Sequence, residues 1–257
     1  PPITLAMMVF EPPSAEHLWA AAGVAFRYFD YGATLLWASS GAVLAARRGY
    51  DLTGIFVIAL VSSCGGGLLR DAFFLQAGPP MLVRTPAYVL LTLLASLLTW
   101  RVGESLQGRL PAPIVRLTEL ADAIGLGAFA VVGMRLALAV SISVAGAMLV
   151  GVVNAVGGGV LRSLLLHRTP RIFRPGELTA LAAFAGTLVY AALAVGLKLD
   201  ENAAGSAAIV VVAATNWISR RYRLETRAAW STQARQRRSI RSSRGRAKAA
   251  RSNETAS

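Results

Sequence analysis

Two glycine triplets, each followed by two apolar residues and an arginine, are the features of this sequence best suited to chemistry. Gly65–Gly67 precede Arg70, and Gly157–Gly159 precede Arg162, each triplet near the middle of a long apolar run. Each glycine weakens a helix by about 1 kcal/mol relative to alanine, so each triplet predicts a break or kink. Backbone carbonyls freed inside hydrocarbon must be buried or hydrated, so two facing breaks predict a site for an ion or small solute. Alternatively, the glycines only allow two helices to cross closely.

Charged side chains accompany the triplets inside the apolar runs. Arg70 and Asp71 follow the first triplet, Arg162 follows the second, and Arg135 lies in a separate apolar run. An ionisable side chain at membrane depth costs several kcal/mol unless it is paired or hydrated. We therefore assign these four residues to a gating role. Alternatively, the arginines join neighbouring helices or extend toward the membrane surface.

The sequence leaves the partners of these charges open. Consecutive residues of a helix do not face each other, so a contact between Arg70 and Asp71 is not assured. Arg162 is followed by Ser163 and has no carboxylate beside it in sequence. Its expected partners are freed backbone carbonyls, water or a carboxylate from another helix.

Oxygen-bearing side chains complete the candidate ion pathway. Asp30 and Asp122 open two of the apolar runs, where they could attract cations to each mouth or simply cap the start of a helix. Ser62, Ser63 and Asn154 precede the triplets and offer oxygens suited to a monovalent cation, although serine in a membrane helix often bonds its own backbone. The predicted pathway residues are Gly65, Gly66, Gly67, Gly157, Gly158, Gly159, Ser62, Ser63, Asn154, Asp30 and Asp122.

Other kinds of chemistry lack the necessary residues. The single cysteine, Cys64, excludes an intrachain disulfide framework, and two distant histidines, His17 and His167, form no metal-ligand cluster. The apolar runs show no paired catalytic aspartates and no serine with a histidine base. We therefore expect neither an enzyme nor a cofactor, apart from a permeant potassium or sodium ion.

The composition is that of an integral membrane protein. Of 257 residues, 55% are hydrophobic and 15% are charged, whereas roughly a quarter are charged in ordinary soluble domains. A bilayer core needs roughly 20 helical residues, and counting apolar runs on this basis predicts seven spans in an all-α protein. They are approximately Phe29–Ala46, Thr53–Leu75, Thr85–Trp100, Leu120–Val140, Ser143–Leu166, Leu178–Leu197 and Ala203–Ile218.

The basic residues predict the orientation and the partners of the chain. Residues 220–257 contain twelve of the 26 lysines and arginines, and the remaining basic residues fall mostly on the same side of the membrane as this tail. Basic loops stay in the cytoplasm, so we expect a cytoplasmic C-terminus in the inner (plasma) membrane. We expect a disordered tail attracted to anionic lipid headgroups, and no binding of nucleic acid.

An internal repeat organises the membrane body. Shifting the sequence by 92 residues aligns Asp30 with Asp122 and the first glycine triplet with the second, without a gap. Each copy contains three predicted spans, and an odd number of spans inverts the second copy relative to the first. The predicted segments are an extracytoplasmic segment without the pattern of a cleaved signal peptide (1–28), a first repeat (29–100), a cytoplasmic linker (101–118), an inverted second repeat (119–197), a seventh helix (198–219) and the basic tail (220–257).

The order of these motifs resembles a known family. Asp30 with Gly41, the segment Arg47–Asp51, Gly65–Asp71 and Gly157–Arg162 are similar to the prokaryotic trimeric intracellular cation channels, the TRIC family. The resemblance implies a homotrimer in which each protomer has its own pore, lined by the glycine-broken second and fifth helices. It also implies conduction of monovalent cations, chiefly potassium. Ser163, in place of a second acidic residue, and the arginine-rich tail depart from the pattern.

Two functions therefore compete at this point. The first is a passive channel for potassium or sodium whose narrow part is formed by the two glycine triplets. The second is a secondary transporter of a small zwitterion such as an amino acid, which also uses broken helices near the midplane.

Overall fold

The computed structural model describes residue 20 and residues 23–105, 111–173 and 178–222. These residues are helical apart from short connections. The long helices are α1 (Val24–Ala46), α2 (Leu52–Arg70), α3 (Ala87–Ser105), α4 (Ala112–Ala139), α5 (Val144–Leu165), α6 (Thr179–Tyr190) and α7 (Glu201–Tyr222). Most of the predicted tail and of the segment 1–28, and part of the predicted linker, lie outside the described residues.

Each of the seven apolar runs predicted to span the membrane overlaps one of these helices, although the bounds differ. Five segments are apolar and long enough to cross a membrane: Leu52–Leu75, Arg116–Ala139, Val144–Leu165, Thr179–Gly196 and Glu201–Ser219. A shorter apolar helix covers Ala87–Gly103, and α1 has 23 residues, a length of about 35 Å. Helices α3 and α4 extend into the predicted linker, because a helix continues past the hydrocarbon boundary when no residue terminates it.

The glycine triplets do not break their helices, so the prediction of a break at each triplet is wrong. Helix α2 continues through Gly65–Gly67 and α5 continues through Gly157–Gly159. A glycine weakens a helix by about 1 kcal/mol, but an unsatisfied backbone group in hydrocarbon costs several. The helical hydrogen bonds are therefore kept, and the alternative role of the glycines, close crossing, is the one the structure shows.

Helices α2 and α5 cross with their backbones in direct contact. A Cβ atom on Gly66 would overlap the carbonyl oxygen of Asn154, and one on Gly158 would overlap the carbonyl oxygen of Ser62. A Cβ on Gly157 would lie 3.1 Å from the Cα of Gly66. Since Ser62 and Asn154 are themselves 92 residues apart, the contacts are reciprocal, as a pseudo-two-fold axis between the two repeats requires.

Two helices end in wider, π-helical turns. Helix α2 passes into such a turn at Asp71–Leu75, which leads to a short helical turn at Met81–Arg84. Helix α6 passes into another at Ala191–Gly196. The regular geometry of α2 is thus lost just after the glycine triplet, at the two charged residues.

The remaining helices surround the crossing. Helix α1 packs against α2, α3 and α4, while α4 also packs against α5 and α7, and α6 packs against α5 and α7. The interior is filled by small and medium side chains such as Ala38, Ala59, Val131, Met134 and Ala208, all buried. Small residues at helix contacts permit the close packing that membrane helices use.

We expect Gly66→Ala to destabilise the protein and Gly32→Ala to stabilise it. The methyl added at residue 66 must push α5 away. Overpacking of this kind typically lowers the free energy of unfolding by about 1–3 kcal/mol. Gly32 is exposed, and no atom lies within 4 Å of the position that an added methyl would take, so alanine there gains up to about 1 kcal/mol of helix propensity. Thermal unfolding in detergent measures both. Equal midpoints for the two variants would contradict the close crossing.

Candidate functional site

Two small cavities, each with charged side chains in its lining, lie beside the α2–α5 crossing. Cavity 1 holds about 20 Å³ for the centres of water molecules and cavity 2 about 30 Å³, whereas one water needs roughly 10–15 Å³ in the same measure. Cavity 1 is lined by Asp30, Thr34, Ser63, Cys64, Gly67, Leu68, Arg70, Asp71, Met81, Leu82, Tyr88 and Phe129. Cavity 2 is lined by Trp37, Asp122, Leu126, Val156, Gly159, Val160, Arg162, Arg171, Ile172, Thr179 and Asn216.

The internal repeat relates the residues that line cavity 1 to those that line cavity 2. The 92-residue shift converts Asp30 to Asp122, Gly67 to Gly159 and Arg70 to Arg162, and every member of these pairs lines its own cavity. Each cavity therefore contains one carboxylate, one guanidinium and one glycine of the triplet at equivalent positions. The predicted pathway residues Asp30 and Asp122 thus lie in different cavities, one on each side of the crossing.

Cavity 1 is built on a buried ion pair. The Nε of Arg70 lies 2.7 Å from Oδ1 of Asp71, and both side chains are buried. The other carboxylate oxygen, Oδ2, accepts a hydrogen bond from the backbone N–H of Met81 at 2.8 Å. The two consecutive side chains are in contact, which settles the pairing that the sequence left open. Asp71 thereby joins the end of α2 to the turn that follows it.

A tyrosine from α3 completes cavity 1. The hydroxyl of Tyr88 donates to Oδ2 of Asp30 at 2.5 Å, and both groups are buried. Asp30 is the seventh residue of α1 and Asp122 the eleventh of α4, so neither is the N-terminal cap that one prediction allowed. The helices begin earlier than the apolar runs because polar residues at a membrane surface are compatible with helix.

Cavity 2 is built on a carboxylate shared by two arginines. Oδ2 of Asp122 lies 2.9 Å from Nη1 of Arg171 and 3.6 Å from Nη2 of Arg162. Nη1 of Arg162 also donates to the hydroxyl of Ser40 at 3.2 Å, and its guanidinium carbon lies 5.7 Å from the ring centroid of Trp37. Among the partners expected for Arg162, the structure provides the carboxylate from another helix.

The polar residues that precede the triplets bond to helix backbone. The hydroxyls of Ser62 and Ser63 donate to the carbonyls of Ile58 and Ala59, one turn earlier, at 2.5 and 2.9 Å. Ser63 also lies in the lining of cavity 1. These bonds occupy the hydroxyl protons, and the Oγ of Ser63 also lies 3.3 Å from the Oγ1 of Thr92.

Asn154 holds α4 and α5 together at the crossing. Its Nδ2 donates to the carbonyl of Phe129 at 2.7 Å, and its Oδ1 is buried without a hydrogen-bond partner among the residues that the structure describes. Asn154 is not among the residues that line either cavity, so the structure does not bring it together with Ser63.

Arg135 lies away from both cavities. Its Nη2 is 2.9 Å from Oε2 of Glu201 at the start of α7, and the two side chains are 19% and 44% exposed. The predicted gating residues therefore fall into three places: Arg70 and Asp71 in cavity 1, Arg162 in cavity 2, and Arg135 at an ion pair between α4 and α7. Their roles in gating stay predictions.

Several residues of the cavities were missed by the sequence analysis. Tyr88, Ser40 and Arg171 come from other helices or connections, and no local spacing links them to the aspartates. Trp37 and Phe129 could have been found, because the 92-residue shift aligns them with each other in two runs of small and aliphatic residues.

The fold and the paired cavities define an integral membrane protein with a duplicated three-helix unit. The family model described as "Glycine transporter" matches the chain twice, at residues 27–103 and 119–195. The two matches are offset by 92 residues, the shift at which the sequence aligns with itself. The chain therefore belongs to this family, which is related to the TRIC channels. It is not an enzyme.

Relatives and solved structures cover most of the chain. A UPF0126 membrane protein of Deinococcus radiodurans is 34% identical over 76% of this chain and 87% of the relative. The UPF0126 inner membrane protein YadS of Escherichia coli is 32% identical over 64% of this chain and 76% of its own. The TRIC channel orthologue from Rhodobacter sphaeroides superposes with a TM-score of 0.71 and 27% identity, over 79% of this chain and 100% of that one. A second TRIC cation channel structure superposes with a TM-score of 0.69 and 32% identity, over 80% of this chain and 97% of that one.

We expect Asp71→Asn to destabilise the protein far more than Asp51→Asn. Removing the charge of Asp71 leaves the buried guanidinium of Arg70 without its paired carboxylate, which typically costs about 3–5 kcal/mol. Asp51 caps α2 through a 2.8 Å bond to the N–H of Gly54 at an exposed site, where asparagine caps equally well. Denaturation in detergent compares the two. Similar losses would show that the Arg70–Asp71 pair does not stabilise the end of α2.

Proposed function

We propose that this protein is a monovalent cation channel, conducting mainly potassium, with one pathway in each protomer. The observation that carries the proposal is the pair of equivalent cavities, each holding a buried carboxylate, on either side of the α2–α5 crossing. Cavity 1 has one carboxylate more than it has guanidinium groups, and a surplus carboxylate in a low-dielectric cleft concentrates cations. The TRIC structures that superpose on this chain are described as cation channels, which supports the same function here.

The pathway is narrow in the conformation described. The cavities have room for about one to three waters each, and a hydrated ion needs more. The backbone contact at Gly66 and Gly158 further closes the space between the cavities. Conduction therefore requires the helices at the crossing, or side chains next to it, to move.

The proposal includes an assembly and an orientation. We infer a homotrimer, because the TRIC channels whose structures match are trimeric by name. We infer seven spans arranged as an inverted repeat of three plus three helices and a seventh helix. The positive-inside distribution of lysine and arginine supports an inner-membrane protein with a cytoplasmic C-terminal tail near anionic lipid headgroups.

A second candidate function is transport of a small zwitterion such as glycine. The content of each cavity favours it. A carboxylate and a guanidinium side by side match the ammonium and carboxylate of an amino acid. The helix breaks predicted for such a site are not needed, since Arg70 and Arg162 supply the positive charge.

Planar-bilayer recording under a potassium chloride gradient separates the two functions. A channel gives unitary currents whose reversal potential has the sign of cation selectivity, with no added solute. A transporter gives saturable uptake of radiolabelled glycine into proteoliposomes and no unitary current. Light-scattering mass measurement on the same preparation tests the trimer. Absence of current together with saturable glycine uptake would refute the channel.

We further expect Arg162→Gln and Arg135→Gln to raise the open probability at rest and to weaken its voltage dependence. A charge that crosses the membrane field gains about 2.3 kcal/mol per 100 mV, so even partial movement shifts the equilibrium between closed and open states. Cation selectivity is kept or improved because a fixed positive charge is removed.

Glu201→Gln is the matched control for the second variant. It breaks the ion pair of Arg135 but keeps the arginine charge, so the steepness of the voltage response is retained. Lost cation selectivity, or an unchanged voltage response in both arginine variants, would show that the arginines only join helices.

A further inference from the structure

Two aromatic rings meet near the middle of the bundle. Trp37 of α1 and Phe129 of α4 pack edge to face, with ring centroids 5.5 Å apart and planes at 83°. Both side chains are buried. The two residues are equivalent in the repeat, being 92 positions apart, so the contact lies where the pseudo-two-fold relation brings α1 and α4 together.

Each ring belongs to the cavity of the other repeat. Cavity 1, whose carboxylate Asp30 comes from the first repeat, is lined by Phe129 from the second. Cavity 2, whose carboxylate Asp122 comes from the second repeat, is lined by Trp37 from the first. Since the two rings touch, the aromatic pair forms a wall that both cavities share.

The indole of Trp37 is held in place by its surroundings. Its Nε1 donates to the backbone carbonyl of Asp122 at 3.2 Å, and its ring lies against the guanidinium of Arg162. The second glycine triplet makes room for it: Cβ atoms on Gly158 and Gly159 would come within 3.4 and 3.5 Å of the ring. A Cβ on Gly125 would overlap the ring.

We propose that the Trp37–Phe129 pair is the barrier between the two cavities and that an ion passes only when the indole moves aside. The inference rests on the proposed pathway. A cation that leaves one cavity must lose water to pass this apolar contact. Burying a charge without polar partners is costly, so the contact opposes passage of the ion. Phe129 offers no polar atom, whereas Trp37 is joined to Asp122 and Arg162. Movement of Arg162 is thereby coupled to movement of the indole.

The native Cys64 provides a test that does not depend on current. Cys64 lines cavity 1, and Ag⁺ is a monovalent cation that binds thiols strongly. Ag⁺ is applied to vesicles on the side of cavity 2, and Cys64 left free is counted by maleimide labelling after denaturation. We expect Trp37→Ala to raise the rate of Cys64 protection about tenfold over the parent, equivalent to a barrier lowered by about 1.4 kcal/mol.

Three variants frame this result. Phe129→Ala removes the other half of the pair and raises the rate as well, and it serves as the test if Trp37→Ala does not insert. Trp37→Phe keeps a ring in the contact and stays nearer the parent. Trp100→Ala, which removes an indole of α3 packed on a different core cluster, leaves the rate unchanged.

The outcomes distinguish the barrier from the channel. A conducting parent in which all variants show the same Ag⁺ rate refutes the barrier and leaves the channel intact. A parent without cation current refutes the channel, while a higher Ag⁺ rate in Trp37→Ala still supports the barrier. Equal acceleration in Trp100→Ala would show a general loosening of the bundle and would also refute the barrier.

Discussion

The architecture depends on the backbone contact between α2 and α5. Two helices that carry glycines at residues 66 and 158 approach until the carbonyl of one fills the place of a side chain on the other. At this separation no side chain can stand between them, so the polar groups of each repeat are displaced to either side. Charged and aromatic side chains are arranged around this contact. The pseudo-two-fold relation places an aspartate, an arginine and an aromatic ring at equivalent positions on each side.

Charge inside the helix bundle is made tolerable by pairing at the three arginines and one aspartate that the sequence analysis assigned to gating. Arg70 is joined to Asp71, Arg162 to Asp122 and Arg135 to Glu201. An unpaired charge at this depth would cost several kcal/mol, so these pairs stabilise the fold, and the pairs of Arg70 and Arg162 keep ionic groups in the two cavities. A gate made of paired charges can exchange partners without exposing a bare charge to hydrocarbon.

Much of this arrangement follows from the sequence, and the two failures have different causes. Hydropathy located each helix, and the repeat predicted which residues are equivalent. The breaks at Gly65–Gly67 and Gly157–Gly159 were wrong because helix propensity was applied without the penalty for opening a backbone in hydrocarbon. The contact of Tyr88 with Asp30 was missed because the two residues lie on different helices, where one sequence carries no spacing signal.

Divergence after the duplication has made the two cavities electrically unlike. The repeat equivalent of Asp71 is Ser163, and that of Arg171 is Pro79, so the described lining has a surplus carboxylate in cavity 1 and a surplus guanidinium in cavity 2. Opposite fixed charges at the two ends of a conduit form a built-in dipole. In the proposed channel, such a dipole leads to rectification: current passes more readily in one direction than in the other, although the scaffold is symmetric.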